Sequence, residues 1–424
     1  MTPAETAAPG RRRGLLALLG PGLITGASDD DPSGIATYSQ TGAQFGYDLS
    51  WTMLFSYPLM AAIQQISARI GRVTGKGIAA NIGEHYPPIL LRMIVALLLA
   101  ANVINLAADL GAMGDALHMV IGGPGRFYVV CFAVLCALLE IFVSYRRYVA
   151  ILKWSTLALF AYVAAMLFVN VHWGEVVRHT LLPSVSWDSS YLVSIVAVLG
   201  TTISPYLFFW QASTEAEDER VDPHARPLRT APQQAPAELR RIDWDTYVGM
   251  GLSNLIGLCI LITAAATLHA HNVTDVGTSA QAAAALKPIA GEFAFFVFAC
   301  GIIGTGLLAV PVLAGSAAYA VAEALRQPTG LSRTLFQAKA FYATIAFATL
   351  IGTGINFFSI DPMKALFWSA VINGFVAVPL MVVMMIMTMQ PKVMGEFTLS
   401  RPLWVMGWLS TGAMGVTVIA TLFA

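Results

Sequence analysis

An apolar stretch long enough to cross a bilayer is interrupted halfway by Asp29-Asp30-Asp31-Pro32-Ser33-Gly34, and no other feature limits the chain so sharply. Leu15 to Ser28 begins the crossing and Ile35 to Phe45 completes it. An aspartate at bilayer depth costs roughly 2.5–3.5 kcal/mol even on a lenient insertion scale, so three in a row require a reason. Proline removes a backbone donor and glycine permits dihedrals closed to other residues, so the helix is expected to open here. Opened backbone at that depth is tolerated only where it is buried in protein or lines a wet cavity. Its freed carbonyls, together with carboxylate oxygens, are what a hard cation binds.

The rest of the chain agrees with a membrane reading. Of 424 residues, 57% are hydrophobic and 11% are charged, and a formal net charge of zero gives no field that would draw in nucleic acid. Cys131, Cys136, Cys259 and Cys300 all lie in apolar runs, which argues against a disulfide framework or a zinc finger. None of the seven histidines stands at the centre of an apolar run, which argues against an imidazole cage. Arg11 to Arg13, an apolar run and Gly26-Ala27-Ser28 also fit a secretory signal, but the run continues into a second apolar half as a broken span does.

Spans are expected near residues 15–46 (broken), 50–68, 90–112, 127–144, 149–171, 191–213 (broken), 246–268, 293–324, 337–355, 364–388 and 402–423, eleven in all. With the N-terminus cytoplasmic, all of the 24 Lys and Arg except Arg126, Arg178, Lys287 and Lys364 fall on the cytoplasmic side. The C-terminus is then extracellular. The connection from Thr214 to Asp243, rich in Glu, Arg and Pro, reads as a solvated, partly mobile linker. Trp173 and Trp187 in the outer segment 172–190 fit an interfacial belt, and His269 and His271 read as an incidental loop pair. Gly301-x-x-Gly304-x-Gly306 and Gly352-x-Gly354 predict close helix packing.

A second interruption, Gly200-Thr201-Thr202-Ile203-Ser204-Pro205-Tyr206, lies five spans after the first. An odd number of spans per repeat inverts the second copy, so spans 1–5 and 6–10 are expected as inverted repeats, each opening on a broken helix. Interrupted segments at matching positions of two halves mark a binding site at the bilayer midplane. Asp109, in span 3 without an obvious basic partner, reads equally as a site-lining or proton-handling residue and as a structural one. Asn102, Asn105, Asn254, Asn356 and Asn373 read chiefly as hydrogen-bonding glue between helices, with Asn373 also a candidate at the site.

These residues resemble the Nramp family of divalent metal transporters. Gly20-Pro21-Gly22, Asp31-Pro32, Thr37 and Gly42-Ala43-Gln44-Phe45-Gly46-Tyr47 match its first helix in register, and Gly200-x-Thr202-x-x-Pro205 matches its sixth. The resemblance implies an all-α polytopic membrane protein of the LeuT fold, with eleven helices of which the first and sixth are broken. It implies one transporter domain: repeat one near 15–171, repeat two near 191–388, and an extra helix near 402–423. The family's Asp-Pro-Gly-Asn reads here as Asp31-Pro32-Ser33-Gly34, and its Met-Pro-His as Ser204-Pro205-Tyr206. By register Asp109 matches an aspartate of the family's third span, while the acidic residue expected three positions on is Ala112 and span 9 has no interior arginine.

Loss of the thioether ligand removes a preference for softer transition metals. The pattern is similar to the magnesium-transporting branch of the family. It implies a carrier rather than an enzyme, with no cofactor, that moves Mg2+, and also Mn2+, by alternating access without proton coupling, in a bacterial plasma membrane. Carry-over assigns Asp31 as direct ligand, the carbonyls of Ser28 and Thr201 as further oxygens, and Ser204 in the methionine's place. Asp29 and Asp30 are expected to attract or coordinate the ion, Gly34 to leave room for its water, and Tyr206 to line the site. A proton-coupled Mn2+ or Fe2+ symporter, an organic-substrate transporter and a metal sensor that moves nothing remain as alternative readings.

Overall fold

The computed structural model describes residues 25, 26, 28–143, 159–358 and 360–423. The expected beginning of span 1, with Arg11 to Arg13 and Gly20-Pro21-Gly22, lies outside the described residues, as does the first part of span 5 with Arg146, Arg147 and Lys153.

The described chain is helical throughout. Its principal helices are α1 (Pro32–Phe45), α2 (Ser50–Thr74), α3 (Ile78–His85), α4 (Pro88–Ile121), α5 (Gly125–Phe142), α6 (Phe160–Phe168), α7 (Trp173–Leu181) and α8 (Ser189–Thr202). They continue as α9 (Pro205–Val221), α10 (Ala235–Thr267), α11 (Ser279–Ala284), α12 (Ala294–Ala324), α13 (Lys339–Ile355), α14 (Pro362–Thr388) and α15 (Arg401–Phe423). Among the described residues, seven helical stretches are long and apolar enough to cross a membrane, and α13 is apolar but shorter. Leu97, Phe127, Leu138, Leu350, Leu409 and Val416 stand exposed on their outer faces. An apolar surface of that kind is what a bilayer covers.

Two apolar cores divide the interior, and α9 is wedged between them. Tyr206 and Trp210 join one core, with Leu110 and Met113 of α4 and Val312 of α12. Phe208 and Phe209, on the opposite face, join the other, with Ile63 and Ile66 of α2 and Met384 of α14. The crossing of α8 and α14 is set by glycine: a Cβ on Gly200 would meet Gly374 N at 2.6 Å and clash with Ala370 O. A Cβ on Gly26 would likewise run into the backbone of Gly249, so the half-helix before Asp31 lies backbone to backbone on α10. Gly306 and Gly352 make the close packing expected of them, whereas Gly301 and Gly354 have no neighbour within 4 Å of the place a Cβ would take.

The segment from Thr214 to Asp243 departs in part from expectation. Its two ends are helical rather than linker, since α9 runs on to Val221 and α10 begins at Ala235, and Glu215, Glu217 and Glu219 are buried, while 220–224 and most of 226–237 are exposed as expected. The reason lies in partners distant in sequence. Arg241 grips both Glu215 oxygens, at 2.5 and 3.3 Å. Glu217 accepts the backbone N–H of Leu331 at 3.1 Å and of Ser332 at 2.6 Å, and Arg72 reaches Glu219 at 3.2 Å. The His269 and His271 rings each bond a backbone carbonyl, of Ala43 and Thr267, as an incidental pair would.

The Arg241–Glu215 pair yields a test. Arg241→Met should destabilise the protein by about 2–3 kcal/mol, less than the loss of a fully buried partner because the guanidinium is 26% exposed. Adding Glu215→Gln should restore much of the loss in detergent-solubilised unfolding, and a strictly additive double variant would show that the two groups are uncoupled.

Candidate metal site

Asp31 sits where the first broken helix restarts, and local chemistry explains why. It is the N-cap of α1, with extended backbone (φ −70°, ψ 171°), and Pro32 follows at the first helical position, where its missing N–H is no loss. Asp31 Oδ1 accepts the Gly34 N–H at 2.8 Å and the Ser33 hydroxyl at 2.5 Å. The second break has a different origin. Ile203 (φ −118°, ψ 60°) and Ser204 (φ −81°, ψ 129°) leave helical geometry, and Pro205 starts α9. Ser204 does not cap α9; its hydroxyl turns back within reach of Gly200 O at 2.9 Å and Thr201 O at 2.7 Å.

The two breaks meet through Tyr206. Its hydroxyl lies 3.1 Å from Ser28 O and 3.2 Å from Asp31 Oδ2, joining the unwound carbonyl before the first break to the carboxylate after it. Asn105 of α4 donates from Nδ2 to the same Oδ2 at 3.3 Å, and its Oδ1 accepts the Ser369 hydroxyl of α14 at 2.7 Å. Asp31 is thus held by four groups from α1, α4 and α9. Gly34 leaves the wall beside it thin, since a Cβ there would lie 3.3 Å from Thr201 Oγ1.

Asp29 and Asp30 do not converge on this point. Both turn towards α10, where the Ser253 hydroxyl lies 2.6 Å from Asp29 Oδ2 and 3.1 Å from Asp30 Oδ1. Ser253 is one helical turn beyond Gly249, so the backbone contact at Gly26 sets this orientation. Among the described residues, no three His, Cys, Asp or Glu side chains are grouped to hold a metal ion. In this arrangement Asp31 is the carboxylate that stands among neutral donors, while Asp29 and Asp30 are bound to Ser253. Asp29 Oδ1 is buried without a hydrogen-bond partner.

Asp109 lies one helical turn from Asn105 on α4, fully buried, with neither carboxylate oxygen hydrogen-bonded. It is close enough to Asp31 for the two to repel each other when both are charged. Asn373 is buried on α14 beside the Gly200–Gly374 crossing, its Nδ2 unpartnered, and no hydrogen bond joins it to Asp31. Sequence reasoning passed over Ser33, Ser253 and Ser369 and read Asn105 only as glue. The spacing of Asn105 and Asp109, four apart on one helix face, was the available signal.

The site is closed at both ends. Ser28, Asp31, Thr201 and Tyr206 are each at most 1% exposed. Towards the Arg-rich end, Thr25 bonds Gln211, which leads to Glu215 and Arg241. At the opposite end Gln40 clips the segment before α11 to α1, accepting from Val276 N at 2.7 Å and donating to Thr274 O at 3.2 Å. Outside this clip lies a half-open cavity of about 270 Å³ lined by Gln40, Gln44, Asp275 and Lys364.

A family model described as natural resistance-associated macrophage protein-like (Nramp) matches residues 22–424. The divalent metal cation transporter MntH of Acidiphilium cryptum strain JF-5 is 28% identical over 372 residues, 85% of this chain and 79% of that protein. Among solved structures, a manganese transporter of Eremococcus coleocola in complex with an aromatic bis-isothiourea substituted compound superposes with a TM-score of 0.75 at 19% identity. The match covers 99% of this chain and 88% of that one. MhsT in complex with L-phenylalanine gives a TM-score of 0.60 at 12% identity, covering 94% and 98%. The fold is that of the LeuT-type transporters, as the family resemblance implied.

Capping and charge at Asp31 can be separated. Asn caps as well as Asp whereas Ala does not, so without divalent cations Asp31→Ala should be about 1 kcal/mol less stable than Asp31→Asn. Denaturant unfolding of the purified proteins measures the difference; equal stabilities would mean that the bond to Gly34 N carries no weight.

Proposed function

This chain belongs to the Nramp family of transporters, and we propose that it carries divalent metal cations across a bacterial plasma membrane by alternating access, Mg2+ foremost with Mn2+ also accepted, without coupling to protons. The observation that carries this reading is the chemistry gathered at Asp31. Its hydrogen-bond partners are oxygen and amide groups of Ser33, Gly34, Asn105 and Tyr206. Ser204, a hydroxyl, stands where the family has a thioether, and Tyr206 where it has an imidazole. One carboxylate among neutral oxygens suits Mg2+, which keeps several waters and is held by one or two carboxylates.

In this reading Asp31 binds the ion directly and the Ser28 carbonyl is the nearest further oxygen, released when Tyr206 turns aside. Thr201 O becomes available when Ser204 moves its hydroxyl, and Ser204 then meets the ion through water. Gly34 leaves the space for that water. Asp29 and Asp30 act at a distance, lowering the potential of the break while bound to Ser253. The two five-span repeats rock about the broken helices, with the N-terminus cytoplasmic and the C-terminus outside. The membrane potential contributes about 2.3 kcal/mol per charge per 100 mV, so roughly 4.6 kcal/mol for a divalent ion, which drives uptake without a proton.

One observation favours a second reading. Asp109, buried and unpartnered within range of Asp31, is what a proton acceptor at the site would look like. That reading is a proton-coupled Mn2+ or Fe2+ symporter.

Uptake of Mg2+, Mn2+, Ca2+ and Fe2+ into proteoliposomes carrying an internal pH dye tests both. The expected result is Mg2+ and Mn2+ influx driven by an inside-negative potential with no acidification, lost to background in Asp31→Ala. Acidification stoichiometric with metal would establish the second reading, and undiminished Mg2+ flux in Asp31→Ala would remove Asp31 from the ligand set.

A further inference from the structure

The first break carries no asparagine at the position filled by Gly34, yet an amide stands at Asp31 all the same. It comes from α4. We propose that Asn105 supplies the amide ligand that α1 lacks: when a divalent cation arrives at Asp31, the Asn105 amide turns over and presents Oδ1 to the ion or to a water the ion carries. This inference rests on the reading of Asp31 as the cation's ligand.

Asn105 offers Nδ2–H to Asp31 Oδ2 at 3.3 Å, a bond that suits an anionic oxygen. A doubly charged ion at the same oxygen faces that N–H with like polarity, and the interaction changes sign. The other end of the same side chain is a hard carbonyl oxygen, brought round by rotation of the terminal amide alone.

Rotation is open to a buried amide only if its far partner tolerates both ends, and Ser369 does. Its hydroxyl lies 2.7 Å from Asn105 Oδ1 and 2.7 Å from Leu366 O. A hydroxyl has one proton, so it serves one of these acceptors at a time. With the amide as it stands, the proton goes to Asn105 Oδ1. With the amide reversed, Nδ2 donates to Ser369 Oγ and the proton goes to Leu366 O. Neither state leaves the inner end of the amide unpaired, although Asn105 and Ser369 are at most 1% exposed. Ser369 is then a positioning residue that lets α14 answer to an ion bound between α1 and α4.

Calorimetric titration of Mg2+ into the purified full-length protein, wild type, Asn105→Leu and Asn105→Asp, decides the matter. Removing the oxygen in Asn105→Leu should weaken Mg2+ binding about 10–100-fold. Asn105→Asp, which keeps an oxygen in place but destroys the donor, should bind close to wild type or more tightly. If Asn105 only donates to Asp31, removing the N–H that opposes the ion leaves Mg2+ affinity in Asn105→Leu unchanged or raises it, and that result would overturn the proposal. Should Asn105→Leu fail to fold, side-chain NMR of wild type labelled with 15N-asparagine replaces it. One amide pair, absent from Asn105→Asp, should shift on adding Mg2+, and a spectrum with no such shift overturns the proposal equally. Wild-type protein that bound neither Mg2+ nor Mn2+ would instead sink the transport reading, an outcome recognisable without any Asn105 variant.

Discussion

One carboxylate holds the centre of this molecule together. Asp31 closes the first turn of α1 through Gly34 N and Ser33, and through its other oxygen it ties that helix to Tyr206 of α9 and Asn105 of α4. A helix N-terminus carries partial positive charge and stabilises an anion there, which helps keep an otherwise costly carboxylate at membrane depth. Structure and binding therefore compete for the same four lone-pair directions. In the proposed reading an ion at Oδ2 would replace the bonds from Tyr206 and Asn105 there while the cap on Oδ1 stays in place, so α1 would keep its first turn.

The surroundings are built to make that competition local. Ser204 keeps its hydroxyl on the last carbonyls of α8, and Ser253 holds the other two aspartates against α10. At either end of the path a different polar contact closes the way: Gln40 on backbone groups of the outer segment, and Thr25 with Gln211 towards the arginines.

Much of this was legible in the chain. Both breaks were visible because proline and glycine stand in apolar runs, and Asp31 stood out because Asp31-Pro32 matches the family's first motif. What was not legible depended on contacts between distant residues. Asp29, Asp30 and Asp31 are consecutive, but their directions are decided by Gly249 and Ser253, more than 200 positions away, and no local pattern reports that. Asn105 was noticed and assigned to interhelical bonding, which is true of its bond to Ser369 and incomplete as to Asp31. The acidic and basic residues of 214–243 looked solvated because such composition usually is; pairing with Arg241 and Arg72 made Glu215 and Glu219 interior instead.

The contact of Gly26 with Gly249 bears on how such a molecule can move. Where two main chains touch with no side chain between them, their separation is fixed by peptide geometry and cannot be compressed or relaxed by changing rotamers. A change of angle between the turn ahead of Asp31 and α10 would therefore have to pivot at this glycine pair, which holds the distance between them.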